Sequence, residues 1–211
     1  MTAYTPTVYI VDDDPGMLES TAWLLESVGI RHRTFPNGAA FLDALEPQTQ
    51  GCVLLDVRMP GMGGLNVQEA LRGRKVSLPV IFISGHADVP MVIRAFRGGA
   101  SDFIEKPFNE QELLDSVQRA IEKDRREHAR TAMATQARER FAQLTPRERD
   151  LVAPLINGLR SREIAEQLGV GARTVELYRG RVMQKLQVRN VAELVRLAVV
   201  AGIHDPFTPT E

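Results

Sequence analysis

Short apolar runs punctuate the first half of the chain at residues 8–11, 53–55 and 80–83, with weaker ones at 34–35 and 103–104. Each is too short for a helix and is bounded by polar or turn-forming residues, so each predicts a buried strand. Between them the apolar period becomes helical. Residues 15–28 set Leu18, Ala22, Leu25 and Val28 on one face, residues 65–73 and 89–98 read similarly, and Leu113, Leu114, Val117 and Ile121 open another helix. Strand and helix alternate five times, which predicts an α/β doubly wound, five-stranded parallel sheet with helices on both faces.

The pattern changes after Ile121. The stretch EKDRREHARTAMATQARER at 122–140 has no Gly or Pro, many helix formers and almost no large apolar residue, and it reads as an exposed helix continuing from residue 110. Its apolar heptad positions fade, so a solvated linker helix is preferred to a dimer stalk. Residues 144–201 form a small all-α pattern broken by Gly158, Gly169 and Gly171, and the tail HDPFTPTE reads as frayed. The expected organisation is therefore a first domain over 1–122, a helical linker over 123–140 and a second domain over 141–211.

Composition sharpens this division. At 211 residues, 44% hydrophobic and 25% charged, the chain has the make-up of soluble globular protein. Its start, MTAYTPT, lacks the basic beginning and apolar centre of a signal peptide, and no apolar run is long enough for a membrane span, so a cytoplasmic protein is expected. The single cysteine, Cys52, lies inside the apolar run CVLL and reads as a buried strand residue rather than a reactive thiol. Residues 1–122 carry 10 Lys and Arg against 16 Asp and Glu, net −6, whereas the rest carries 16 against 11, net +5. Opposite signs fit two domains with different partners, the second a polyanion; they also fit two solvated surfaces of different pI.

In a doubly wound sheet, ligands sit beyond the carboxyl ends of the strands. The first polar residues after the apolar runs are Asp12, Asp13 and Asp14, then Asp56, then Ser84, then Lys106 followed by Pro107. Asp14 before Pro15 has a structural role, because Asp is a good N-cap and Pro suits the first helical position. Asp12, Asp13 and Asp56 have no such role, and three converging carboxylates repel unless a cation holds them. An all-oxygen set with no nearby His or Cys pattern suits Mg²⁺. A lysine and a hydroxyl facing a carboxylate are what an incoming phosphoryl group needs, which makes Asp56 the candidate nucleophile of an acyl phosphate.

The motifs IVDDD, LLDVRMPGMGG, FISGH and DFIEKPF resemble those of the receiver domain of two-component response regulators, a flavodoxin-like fold, over about residues 6–122. The resemblance implies that Asp56 accepts a phosphoryl group from a sensor histidine kinase. It implies that Asp12, Asp13, Asp56 and the backbone carbonyl of Arg58 ligate Mg²⁺, and that Ser84 and Lys106 are the switch hydroxyl and lysine. Phe103 matches the switch aromatic, although simple core packing explains it as well. Such a receiver catalyses only its own phosphoryl transfer and dephosphorylation and is not otherwise an enzyme.

In the basic half, residues 161–168 and 173–186 read as two helices separated by the turn LGVGA, which is helix-turn-helix spacing. On the second, Val175, Val182 and Leu186 share an inward face, with Arg179, Arg181 and Lys185 outside and Arg173 near the start. Such a helix fits a DNA major groove, although basic amphipathic helices also occur without DNA. The motifs LTPRER, EIAEQL, RTVE and VMQKL resemble the LuxR-type DNA-binding domain of NarL/FixJ regulators over about residues 140–203. That resemblance makes 161–180 the helix-turn-helix and places Ser161, Arg173, Thr174, Glu176, Leu177, Arg179, Gly180, Arg181 and Lys185 toward double-stranded DNA. Val191, Leu194 and Leu197 fall on the last helix, which in the family supplies the dimer contact. Three residues depart from the family pattern: Tyr178 replaces a His, Gly171 replaces a Ser, and Pro154 falls inside the first helix, where it costs roughly 3 kcal/mol unless the helix is kinked.

The reading is a phosphorylation-switched transcriptional regulator that dimerises on DNA, with RNA polymerase as a further partner. Its rivals are a regulator driven by something other than phosphate, a phosphohydrolase with Asp56 as nucleophile, and an adaptor without DNA contact. The phosphohydrolase lacks an evident acid for the leaving group.

Overall fold

All five apolar runs are strands, each a little longer than its apolar centre: β1 (Thr7–Val11), β2 (His32–Phe35), β3 (Gly51–Asp56), β4 (Val80–Ser84) and β5 (Asp102–Glu105). The structure is a computed structural model that describes residues 4–46 and 49–203. The tail expected to fray lies outside the described residues. Every strand pairing is parallel, in the order β2-β1-β3-β4-β5. Helices α1 (Pro15–Ser27), α2 (Gly38–Asp43), α3 (Gly64–Gly73), α4 (Val89–Arg97) and α5 (Glu110–Ala142) connect and follow the strands.

Side chains alternate across the pleat and fill two cores. Val8, Ile10, Cys52, Leu54, Ile81 and Ile83 meet Leu25 of α1 and Leu113 and Val117 of α5 on one face. On the other, Tyr9, Val11, Val53, Leu55 and Phe82 pack with Phe41 of α2, Val67 and Leu71 of α3 and Ala95 of α4. Because both faces are covered, the central strands read as unbroken apolar runs. Asp14 caps α1 through Gly16 N, with Pro15 in the first turn, as its sequence position required. The inward face of α1 is set by Thr21 and Leu25, whereas Val28, expected on that face, is the C-cap and half exposed. The short helix α2 was not anticipated; Asn37 starts it by accepting from Ala40 N.

The chain divides into two compact units, 1–128 and 129–211. Helix α5 contributes Leu113, Val117 and Ala120 to a core of the first and Ala137 and Phe141 to that of the second. Its middle is mostly exposed, as expected, with one exception. Asp124 is 1% exposed, where its Oδ2 accepts from Gly51 N and Tyr4 Oη, both at 2.8 Å.

The second unit is α6 (Pro146–Arg149), α7 (Val152–Ile156), α8 (Ser161–Leu168), α9 (Ala172–Leu186) and α10 (Val191–Ala201), wrapped around Leu151, Leu155, Ile164, Val175, Val182, Leu186 and Leu194. The expected cost of Pro154 is avoided because the segment is two short helices rather than one. Pro154 is the third residue of α7, in the first turn, where a missing N–H deprives no intrahelical acceptor. The turn between α8 and α9 begins at Gly169, which takes φ 63° and ends α8 in the left-handed conformation that glycine adopts without penalty.

Candidate functional sites

Reversal of strand order between β1 and β3 puts the carboxyl ends of these strands side by side, with Val11 opposite Leu55. The residues that follow meet there. Lys106 Nζ lies 2.6 Å from Asp12 Oδ2 and 2.7 Å from Asp56 Oδ1, so one ammonium bridges two carboxylates from different strands. Asp56 Oδ2 accepts from Arg58 N at 2.6 Å, and Asp12 Oδ1 accepts from Asp14 N at 2.9 Å. Asp12 and Asp56 are buried, while Asp13 stands exposed at the rim.

Burial pushes the Asp56 carboxyl above its ordinary range, and the hydrogen bond and charge of Lys106 only partly offset this. Burial also opposes the charge of Lys106, but its hydrogen bonds to Asp12 and Asp56 outweigh that and hold its ammonium above the usual lysine value. Two buried carboxylates therefore share one strongly retained cation. Ser84 is buried, but its hydroxyl donates to His86 O at 3.1 Å and accepts from His86 N at 3.3 Å. Phe103 is partly buried against Phe82, ring centroids 6.2 Å apart, and joins the core beneath β4 and β5. Helix α3 starts hard against the site: a Cβ on Gly64 would lie 2.3 Å from Asp56 O, so only glycine fits.

The donor chemistry of this corner suits Mg²⁺. Asp12, Asp13 and Asp56 and the Arg58 carbonyl are all hard oxygen donors, and a cation, the Lys106 ammonium, already joins two of them.

In the second unit, Val175, Val182 and Leu186 are buried as their spacing predicted. Arg173, Glu176, Leu177, Gly180 and Arg181 form an exposed stripe, and Thr174 and Arg179 are half-buried beside it. Lys185, read from the sequence as part of the outer basic face, turns instead toward α6. Its Nζ lies 2.6 Å from Glu148 Oε2, and Glu148 is buried. That ion pair, with the Thr145 N–H, holds the Glu148 carboxyl down to about 2. Ser161 opens α8 and donates its hydroxyl proton to Glu176 Oε1. On α10, Leu194 belongs to the unit's own core, and the large apolar residues left exposed are Val199 and Val200.

Comparison with known proteins agrees with both halves. Residues 8–118 match the response regulator receiver domain, and residues 142–198 match the bacterial regulatory proteins of the luxR family. The chain is a response regulator of the NarL/FixJ type. It is 42% identical to the transcriptional regulatory protein FixJ of Azorhizobium caulinodans, covering 96% of this chain and 97% of that one. It is 39% identical to nodulation protein W of Bradyrhizobium diazoefficiens, covering 93% and 86%. Among solved structures, the response regulator StyR superposes with a TM-score of 0.85 at 39% identity, covering 92% of this chain and 98% of that one. Full-length FixJ from B. japonicum gives 0.58 at 38% identity, covering 96% and 100%. A response regulator with a receiver and a LuxR-type DNA-binding domain is a transcriptional regulator, and among the described residues no helix is long and apolar enough to cross a membrane.

Proposed function

We propose that a sensor histidine kinase phosphorylates this regulator on Asp56 in the cytoplasm, and that the phosphorylated chain dimerises and binds a two-part site on double-stranded DNA, where it meets RNA polymerase. The observation that carries the reading is the Lys106 ammonium held between Asp12 and Asp56. In the transfer, the N–P bond of the donor phosphohistidine breaks and an O–P bond forms at an Asp56 carboxylate oxygen. Asp12, Asp13, Asp56 and the Arg58 carbonyl would hold Mg²⁺, which when bound neutralises phosphoryl charge. Lys106 stays charged and stabilises the same oxygens from its side. Ser84 exchanges its bond to the His86 carbonyl for one to the phosphoryl group, and Phe103 turns into the space released. Residues 1–122 serve as the phosphoryl acceptor, 123–140 as the linker and 141–211 as the DNA-binding part.

The test is sedimentation of the full chain with and without Mg²⁺ and beryllofluoride, with Asp56→Asn as control. The expected result is a shift from monomer to dimer that the variant lacks. No shift, or an equal shift in the variant, would remove phosphate from the mechanism and leave a regulator driven by another signal.

A further inference from the structure

On the proposed DNA-binding face, one acidic side chain stands among basic ones. Glu176 is exposed on α9 beyond its first turn, so it does not serve the helix N-terminus electrostatically. Three residues earlier on the same face, Arg173 makes no ion pair among the described residues, and Glu176 instead accepts the hydroxyl proton of Ser161 from the neighbouring helix. An exposed glutamate ordinarily samples several rotamers in water. Here a bond spanning 15 residues holds one carboxylate oxygen of this exposed residue, and Oε2 makes no hydrogen bond among the described residues. Gly180, one turn further along, keeps that surface shallow, since a Cβ there would meet nothing within 4 Å.

An ionised carboxylate is acceptor-only. In the major groove only cytosine N4 and adenine N6 offer donors, and adenine sets its N7 acceptor beside the donor, where it repels a carboxylate. Cytosine carries no acceptor on that side. Resting on the DNA-binding reading above, we propose that Glu176 is a specificity-determining residue that selects cytosine in each half-site, and that Ser161 is its positioning residue. An arginine on the same face compensates the repulsion between Glu176 and the phosphates.

The experiment is selection from a random duplex library by the full chain with Mg²⁺ and beryllofluoride, followed by affinity measurement on the selected sites over a range of salt. The wild-type motif is expected to contain a cytosine whose replacement weakens binding about tenfold. Glu176→Gln is expected to move that position to adenine, which a Gln amide reads through N6 and N7. Ser161→Ala is expected to keep the cytosine with a several-fold smaller preference, and Ser161→Thr to restore it. Thermal melting of each variant confirms that it is folded. An unchanged motif in Glu176→Gln overturns the assignment, and undiminished preference in Ser161→Ala overturns the positioning role. Absence of salt-sensitive binding by the wild type overturns the DNA-binding reading and this inference with it.

Discussion

In the proposed switch, the single hydroxyl of Ser84 couples phosphate to assembly. Its proton is directed at the His86 carbonyl, 3.1 Å away, so in this state it contributes nothing to Asp56. Hydrogen bonds to charged groups contribute about 1.5–3 kcal/mol, enough to exchange this partner for a phosphoryl oxygen. Ser84→Ala is therefore expected to leave phosphoryl transfer to Asp56 intact but weaken beryllofluoride-driven dimerisation about tenfold, read from a sedimentation concentration series. Undiminished dimerisation in that variant would make Ser84 a structural residue. At this scale the sequence was informative because strand ends are local: Asp12, Asp56, Ser84 and Lys106 each follow an apolar run, and a parallel sheet brings such ends together. The partner of Ser84 was not readable, since a hydroxyl near a chain turn can bond either its own backbone or a neighbour. The inward turn of Lys185 was also hidden, because it depends on Glu148, a buried carboxylate on a separate short helix.

Among the elements, α5 departs most from its sequence pattern. Nothing in EKDRREHARTAMATQARER distinguishes Asp124 from its exposed neighbours, since its partners Tyr4 and Gly51 are 120 and 73 residues away. Its Oδ2 is satisfied, but the buried Oδ1 has no hydrogen-bond partner among the described residues and faces His128 Nε2 at 3.5 Å. Burial raises the Asp124 carboxyl above its ordinary range, against the hydrogen bonds from Gly51 and Tyr4 and the charge of His128. A carboxyl whose value is higher folded than unfolded stabilises the fold fully at pH below its unfolded value. That contribution is lost as pH rises through the folded value. Asp124→Asn keeps a neutral side chain at every pH. It should match the wild type in acid and exceed it at neutral pH, with the difference growing across thermal melts from pH 4 to 8. A constant difference, or one of opposite sign, would mean that His128 holds Asp124 ionised.

At the scale of the whole molecule, the split of charge into net −6 over 1–122 and +5 over the remainder acquires a specific meaning. If the second unit binds DNA through phosphates, the logarithm of affinity falls linearly with the logarithm of salt, with a slope of about −0.9 per phosphate neutralised. Arg173 and Arg181 are exposed and make no ion pair among the described residues, so each is available to a phosphate. Lys185 is not, because its ammonium is held by Glu148. Arg181→Ala in the beryllofluoride-activated full chain should therefore reduce the slope by about one per protomer, about two for a dimer, while leaving the preferred bases unchanged. Lys185→Ala should leave the slope unaltered and instead lower the melting temperature of the second unit, since it strands a buried carboxylate, a loss of about 3 kcal/mol. The two variants remove the same formal charge from the same helix, so net charge alone predicts equal slopes for them. Unequal slopes in the expected direction would mean that DNA reads the exposed stripe of α9 rather than its overall charge. Equal slopes would mean that the Glu148 ion pair opens on DNA and that Lys185 rejoins the phosphate-binding face the sequence assigned to it.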